Sequence, residues 1–227
     1  MCGRFVIKST PDQLRRALGF VEQPNFPARY NIAPTQPIPL VRTEGGARHF
    51  ALARWGLIPA WVKEPQKFAL LINARVEGIA EKPSFRAAVR RRRCLIPADG
   101  FYEWRREGKA KQPYFIRRRD GEAMAFAGIW ETWAGADGSE IDTAAILTCA
   151  ANMTLQPIHA RMPAILPSDA LETWLDPDER KFEAALARLK PAPEDLLEAY
   201  AVSPRVNKVA NDDAENIGPL SANSRAA

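Results

Sequence analysis

At 227 residues, with 46% hydrophobic and 26% charged side chains, the chain can bury a full core without disulfides, which excludes a disordered or fibrous protein. Lysine and arginine number 32 against 27 aspartate and glutamate, and the net charge of +5 permits a polyanionic partner without requiring one. No apolar stretch reaches the roughly 18 residues of a membrane span, the first residues do not form a signal peptide, and the 3 cysteines cannot all pair, so the expected setting is a reducing cytoplasm.

The first element in chain order is a strand at Arg4–Ile7, followed by a helix over Pro11–Leu18 whose start is marked by Thr10 as cap and by Pro11 in the first turn. Runs of alternating and β-branched residues at 38–42 and 49–55 read as strands, and Asn73 and Arg75 alternate on a short one. Residues 84–91 carry a serine cap and an arginine-rich end that suits a helix C-terminus. Strands follow at 114–117, 123–129 and 141–148, then short amphipathic helices at 168–175, 178–189 and 194–199. Residues 211–227 are small and polar and read as a frayed tail. No repeat or low-complexity linker divides residues 1–210. The expectation is therefore one α+β domain built on a largely antiparallel sheet.

Cys2 holds the most distinctive chemistry. Loss of Met1, the normal fate of an initiator methionine before a small residue, leaves Cys2 with a free α-amine beside its thiol. Ordinary pKa values of about 7.7–8.0 for the amine and about 8.5 for the thiol give both a usable nucleophilic fraction near neutrality. With an aldehyde, the amine can form a Schiff base and the sulfur can close a thiazolidine ring. Position alone also fits an inert cysteine at a frayed terminus. The adjoining strand argues otherwise, because it ties the terminus into a sheet and fixes Cys2 in place.

Other candidates follow from residue type and neighbourhood. Glu103, between Tyr102 and Trp104, has a desolvating setting that suits a proton acceptor, although a surface glutamate on a strand fits too. His159, in the turn His159-Ala160-Arg161-Met162-Pro163, is either a proton-transfer group or a structural histidine. Asn73 and Arg75 would offer an amide and a guanidinium to one strand face. Arg4, Arg75 and Arg161 each lie beside a proposed catalytic residue and are the candidate phosphate contacts, with the Thr148 hydroxyl as another. Trp61 could stack on a base or sit in the core. The run Arg90 to Arg93 could be solvated charge complementing a helix dipole. Cys94 and Cys149 read as packed thiols. With only 2 histidines, His49 and His159, and no Cys-x-x-Cys, neither a metal nor another cofactor is expected.

Several blocks in order make a more specific pattern. They are Met1-Cys2-Gly3-Arg4-Phe5, Tyr30-Asn31-Ile32-Ala33-Pro34-Thr35, Trp55-Gly56-Leu57-Ile58-Pro59, Asn73-Ala74-Arg75-Val76-Glu77, Arg93-Cys94-Leu95-Ile96-Pro97, Gly100-Phe101-Tyr102-Glu103-Trp104, Ala127-Gly128-Ile129-Trp130, Thr148 with Asn152, and the His159 turn. Together they span Met1 to about Asn207, and the chain resembles the SOS-response-associated peptidase family, proteins that sense abasic sites in single-stranded DNA. The resemblance implies a curved antiparallel sheet forming a pseudo-barrel flanked by short helices.

It also implies that Cys2 reacts with the ring-opened aldehyde of an abasic deoxyribose and forms a stable thiazolidine crosslink. Asn73 and Glu103 would lie near its amine and His159 near the sugar hydroxyl. In these roles Glu103 transfers protons during Schiff-base formation and release, His159 acts as acid for sugar-ring opening, and Asn73 orients the amine. The implied partner is single-stranded DNA containing abasic sites, including single-strand/double-strand junctions, met by a monomer that needs no cofactor and joins the nucleoid when bound. Two other readings remain at this stage. One is a cysteine peptidase or N-terminal nucleophile hydrolase using Cys2 with His159 or Glu103 as base; the other is a non-catalytic single-stranded nucleic-acid binder.

Overall fold

The strands marked by the sequence are all present, joined by others that it does not mark. The computed structural model of the chain describes residues 2–220. In order the strands are β1 (Arg4–Ile7), β2 (Arg29–Ile32), β3 (Pro37–Glu44), β4 (Ala47–Trp55), β5 (Asn73–Arg75), β6 (Arg93–Ala98), β7 (Gly100–Glu107), β8 (Ala110–Arg118), β9 (Met124–Ala134), β10 (Glu140–Ala150), β11 (Arg161–Pro163), β12 (Ile165–Leu166) and β13 (Leu197–Ala201).

Five of these strands close on themselves. β3 pairs antiparallel with β4 and β6, β6 with β9, and β9 with β10. A parallel pairing of β10 with β4, Thr143 opposite Arg54 and Ala144 opposite Trp55, shuts the ring. Closure removes the exposed edges that an open sheet would leave. Trp55, Ile38, Leu40, Phe126 and Ile146 are among the buried side chains of this barrel. Gly128 on β9 is required by close approach, since a Cβ there would stand 2.8 Å from Cys94 Sγ and from Ile96 Cδ1. Cys94 and Cys149 are buried free thiols, as expected of packed ones.

A second sheet runs in the order β13-β8-β7-β1-β2 and holds β1 in its interior. Asp99, between β6 and β7, fastens the far end of β1: its carboxylate accepts from the Lys8 and Ser9 backbone N–H at 2.6 and 2.8 Å and from Ser9 Oγ at 2.5 Å. Its own N–H donates to the Val6 carbonyl at 2.8 Å.

The helices are short. α1 (Pro11–Leu18) forms as its sequence directs, with a reciprocal capping box between Thr10 and Gln13 and a left-handed Gly19 at its end. α2 (Arg86–Arg91) starts later than the serine at 84 and has no side-chain cap. α3 (Leu171–Leu175) and α4 (Phe182–Leu186) are single turns, each preceded by a 3-10 turn, within the longer helices expected at 168–175 and 178–189. The helix expected at 194–199 is absent. That segment makes a turn and enters β13, paired residue for residue with β8 from Leu197 opposite Arg118 to Ala201 opposite Tyr114. Its weak local preference for helix yields to a sheet edge offering five residues of partner and burial for Leu197 and Ala201.

The tail expected from residue 211 is likewise corrected over its first ten residues. The Asp212 carboxylate accepts from the Tyr30 and Asn31 backbone N–H at 2.5 and 2.7 Å and pairs with Arg29. Asn216 is fully buried, and Leu220 N–H reaches the Ala201 carbonyl at 2.9 Å. Residues 221–227 of that tail lie outside the described residues. No helix among the described residues is long and apolar enough to cross a membrane.

Candidate active site at the seam between barrel and second sheet

β1 lies against β7 with Arg4 opposite Tyr102 and Phe5 opposite Phe101, so the residues ahead of Arg4 run alongside Glu103 and Trp104. Gly100 permits this packing: a Cβ there would stand 2.2 Å from Phe115 Cζ. Cys2 is completely buried at the head of the strand, its Sγ 3.8 Å from the Arg4 carbonyl. Burial, and after it the negative charge of Glu103, push its thiol well above the usual range. The sulfur is therefore held protonated.

Asn73 arrives from the barrel side. β5 pairs in parallel with β10, Asn73 opposite Ile146, and Asn73 Nδ2 donates to the Cys2 carbonyl at 2.8 Å. Its Oδ1 is buried and accepts no hydrogen bond from the described residues. A buried acceptor left in that state costs about 1–3 kcal/mol, so this oxygen is an open position for a donor beside Cys2. β10 also carries β11, with Ala150 opposite Arg161, and this places the His159 turn at the same seam. His159 Nδ1 lies 4.0 Å from Glu103 Oε1. The Arg161 backbone serves that nitrogen in either protonation state: its N–H is 3.0 Å away and its carbonyl 3.1 Å. An imidazole that keeps a partner whether or not Nδ1 carries the proton is suited to passing one.

Glu103, Trp104, Arg106, Lys111, His159 and Asn207 line an open groove of about 480 Å³ above this cluster. Glu103 is buried at its base, while Arg106 and Lys111 are exposed at its rim. The arrangement places a buried cysteine and an amide beside a buried carboxylate and an imidazole, and the last two line a groove open to solvent. Among the described residues no group of three or more His, Cys, Asp and Glu side chains could hold a metal ion.

The family model for SOS response associated peptidase (SRAP) matches residues 1–209. The chain belongs to the SRAP family. It is 38% identical over 221 residues to the abasic site processing protein YoqW of Bacillus subtilis, covering 96% of this chain and 99% of that protein. It is 33% identical over 227 residues to YedK of Escherichia coli, also named an abasic site processing protein, covering 97% and 100%. A crystal structure of a Bacteroides thetaiotaomicron protein shares the fold with a TM-score of 0.86 at 28% identity, covering 97% of this chain and all of that one.

Within this SRAP fold the four residues singled out for catalysis, Cys2, Asn73, Glu103 and His159, come together. The five singled out for DNA contact are placed differently. Arg4 turns inward: its guanidinium donates to Asn31 Oδ1 at 2.8 Å, the Val206 carbonyl at 2.9 Å and the Asn207 carbonyl at 3.3 Å. Arg161 forms a bidentate pair with Glu77 at 2.7 and 2.8 Å and also donates to the Thr148 carbonyl. Thr148 is fully buried, its hydroxyl 3.4 Å from the Ala74 carbonyl, so the structure gives that hydroxyl no access to a phosphate. Arg75 is exposed on β5, on the strand that delivers Asn73. Trp61 is 59% exposed, edge-on to Phe68, and is not a core tryptophan.

The run Arg90 to Arg93 is absorbed by structure, beyond the dipole role expected of it. Arg90 lies over the Phe182 ring, Arg91 pairs with Glu179, Arg92 with Glu131 at 2.6 Å, and buried Arg93 donates only to main-chain carbonyls. Sequence reasoning missed Arg106, Lys111 and Asn207 as groove residues. The alternation that puts Arg106 on the face of Trp104 could have found the first; Asn207 arrives from more than a hundred residues away and leaves no local signal.

Proposed function

We propose that the chain processes abasic sites in single-stranded DNA by forming a covalent thiazolidine link through Cys2 after loss of Met1. The observation that carries this reading is the convergence of Cys2, Asn73, Glu103 and His159 at one seam. The names of YoqW and YedK support the lesion as substrate class.

In this scheme His159 protonates the ring oxygen while the anomeric hydroxyl gives its proton to water, so that the hemiacetal of the abasic sugar opens to its aldehyde. The Cys2 amine attacks the aldehyde carbon, with Asn73 Oδ1 accepting one of its N–H groups. Glu103 takes the proton lost from nitrogen and returns one to the departing hydroxyl, so that water leaves and an imine remains. Sulfur then adds to the imine carbon, and the thiol proton passes through Glu103 to nitrogen. The net change is the loss of one water molecule.

A denaturing gel tests the reading. Methionine-free protein, verified by intact mass, is incubated with single-stranded oligonucleotides with and without an abasic site, alongside Cys2→Ala. A denaturation-resistant species that requires both lesion and Cys2 is expected. Its absence from the verified protein would overturn the proposal; peptide turnover without DNA would indicate the hydrolase, and a salt-sensitive gel shift alone the simple binder.

A further inference from the structure

We infer that the rim of the β7–β8 hairpin is a phosphodiester seat, with Arg106 and Lys111 holding the DNA backbone beside the lesion. The inference rests on the crosslinking reading above and names the contact that aligns the strand for it. Arg106 and Lys111 stand directly opposite each other in the antiparallel pair. Like charges in that position repel and weaken a hairpin, so the placement makes sense where an anion comes between them.

Neither side chain has a hydrogen bond or ion pair with another described residue. That contrasts with the neighbouring cations of the same sheet: Arg117 pairs with Glu198 at 2.7 Å, and Arg118 with Asp120. Both Arg106 and Lys111 also line the groove that contains Glu103 and His159. Arg106 lies three positions after Glu103, about 10 Å along β7, which sets the phosphate contact beside the reacting sugar and not upon it. The contacts expected for this role at Arg4 and Arg161 are engaged within the protein, as described above. The hairpin supplies positive charge at the groove itself, whereas Arg75, also exposed, is not among the residues that line it.

Non-covalent binding reads this seat directly. In a Cys2→Ala background, affinity for a single-stranded oligonucleotide is measured across salt concentrations, where removing one phosphate interaction lowers the slope of log K against log salt by about 0.7. Arg106→Gln and Lys111→Gln are each expected to lower it by about that amount, with undamaged and abasic strands alike. Lys190→Gln, a basic residue away from the groove, leaves the slope unchanged. The double variant should melt at or above the parent temperature, since a repulsive pair has been removed.

Unchanged slopes in both single variants, a reduced slope confined to the abasic strand, or a lower melting temperature in the double variant would overturn the seat. The protein with native Cys2 is run in parallel for crosslinking. If it crosslinks while the slopes are unchanged, only this inference falls; if it fails to crosslink, the proposed function falls instead.

Discussion

Arg93 on the barrel and the Cys2 seam both bury polar chemistry, and they are furnished in opposite ways. Arg93 donates to carbonyls: Trp174 and Val89 at 2.6 and 2.9 Å, Arg90 at 2.6 Å, and Asp176. It thereby caps the end of α2 and ties α3 to β6. At the seam, the Asn73 Oδ1 has no donor among the described residues, and a carboxylate lies beside a thiol that burial pushes up. A polar group whose bonding capacity is filled by main chain is part of the scaffold. One whose capacity is left open is prepared for a visitor, and its cost is carried by the rest of the fold.

The largest test of this contrast lies at Glu103. Glu103→Gln should slow single-turnover crosslinking by about 10²- to 10⁴-fold while melting at or above the native temperature; a rate within tenfold of native would break the distinction. Arg93→Met should do the reverse, losing about 3–5 kcal/mol in a urea titration with the crosslinking rate per folded molecule preserved.

Alkaline stability probes the thiols on both sides. Burial raises Cys2 and Cys94 above their unfolded values, so their contribution is complete below about pH 8.5 and is lost as pH climbs. Each should remove about 1.4 kcal/mol per pH unit above that point, and Cys94→Ala should flatten the decline measured by urea midpoints. The smallest effect is expected at Thr35, a β-branched residue at φ 72°. Thr35→Gly should relieve about 1 kcal/mol of backbone strain, read as a rise in melting temperature.

The N-terminal strand and α1 were legible because their signals are local: a short β-branched run, a capping threonine and a proline in the first turn. The four catalytic candidates were legible because unusual residue types stood in specific neighbourhoods. β5 and β11 are only three residues each, too short for a period to declare their pairing. β13 read as helix because its partner, β8, lies some eighty residues earlier. Arg4 read as a phosphate contact because nothing near it in sequence reveals Val206 and Asn207, whose carbonyls occupy it. Position in the chain exposes which residues are chemically able; only the fold shows which of them are already engaged.

The clasp between Arg4 and the 206–207 carbonyls also has a place in time. At a synthesis rate of about 5–20 residues per second, some ten to forty seconds separate the emergence of Arg4 from that of its partners, which lie 202 and 203 positions further on. Throughout that interval the Arg4 guanidinium lacks these two carbonyls, although β7 and Asp99 are already available to β1. On the function proposed above, that interval is the one in which Met1 would be trimmed, before the 206–207 carbonyls close on Arg4.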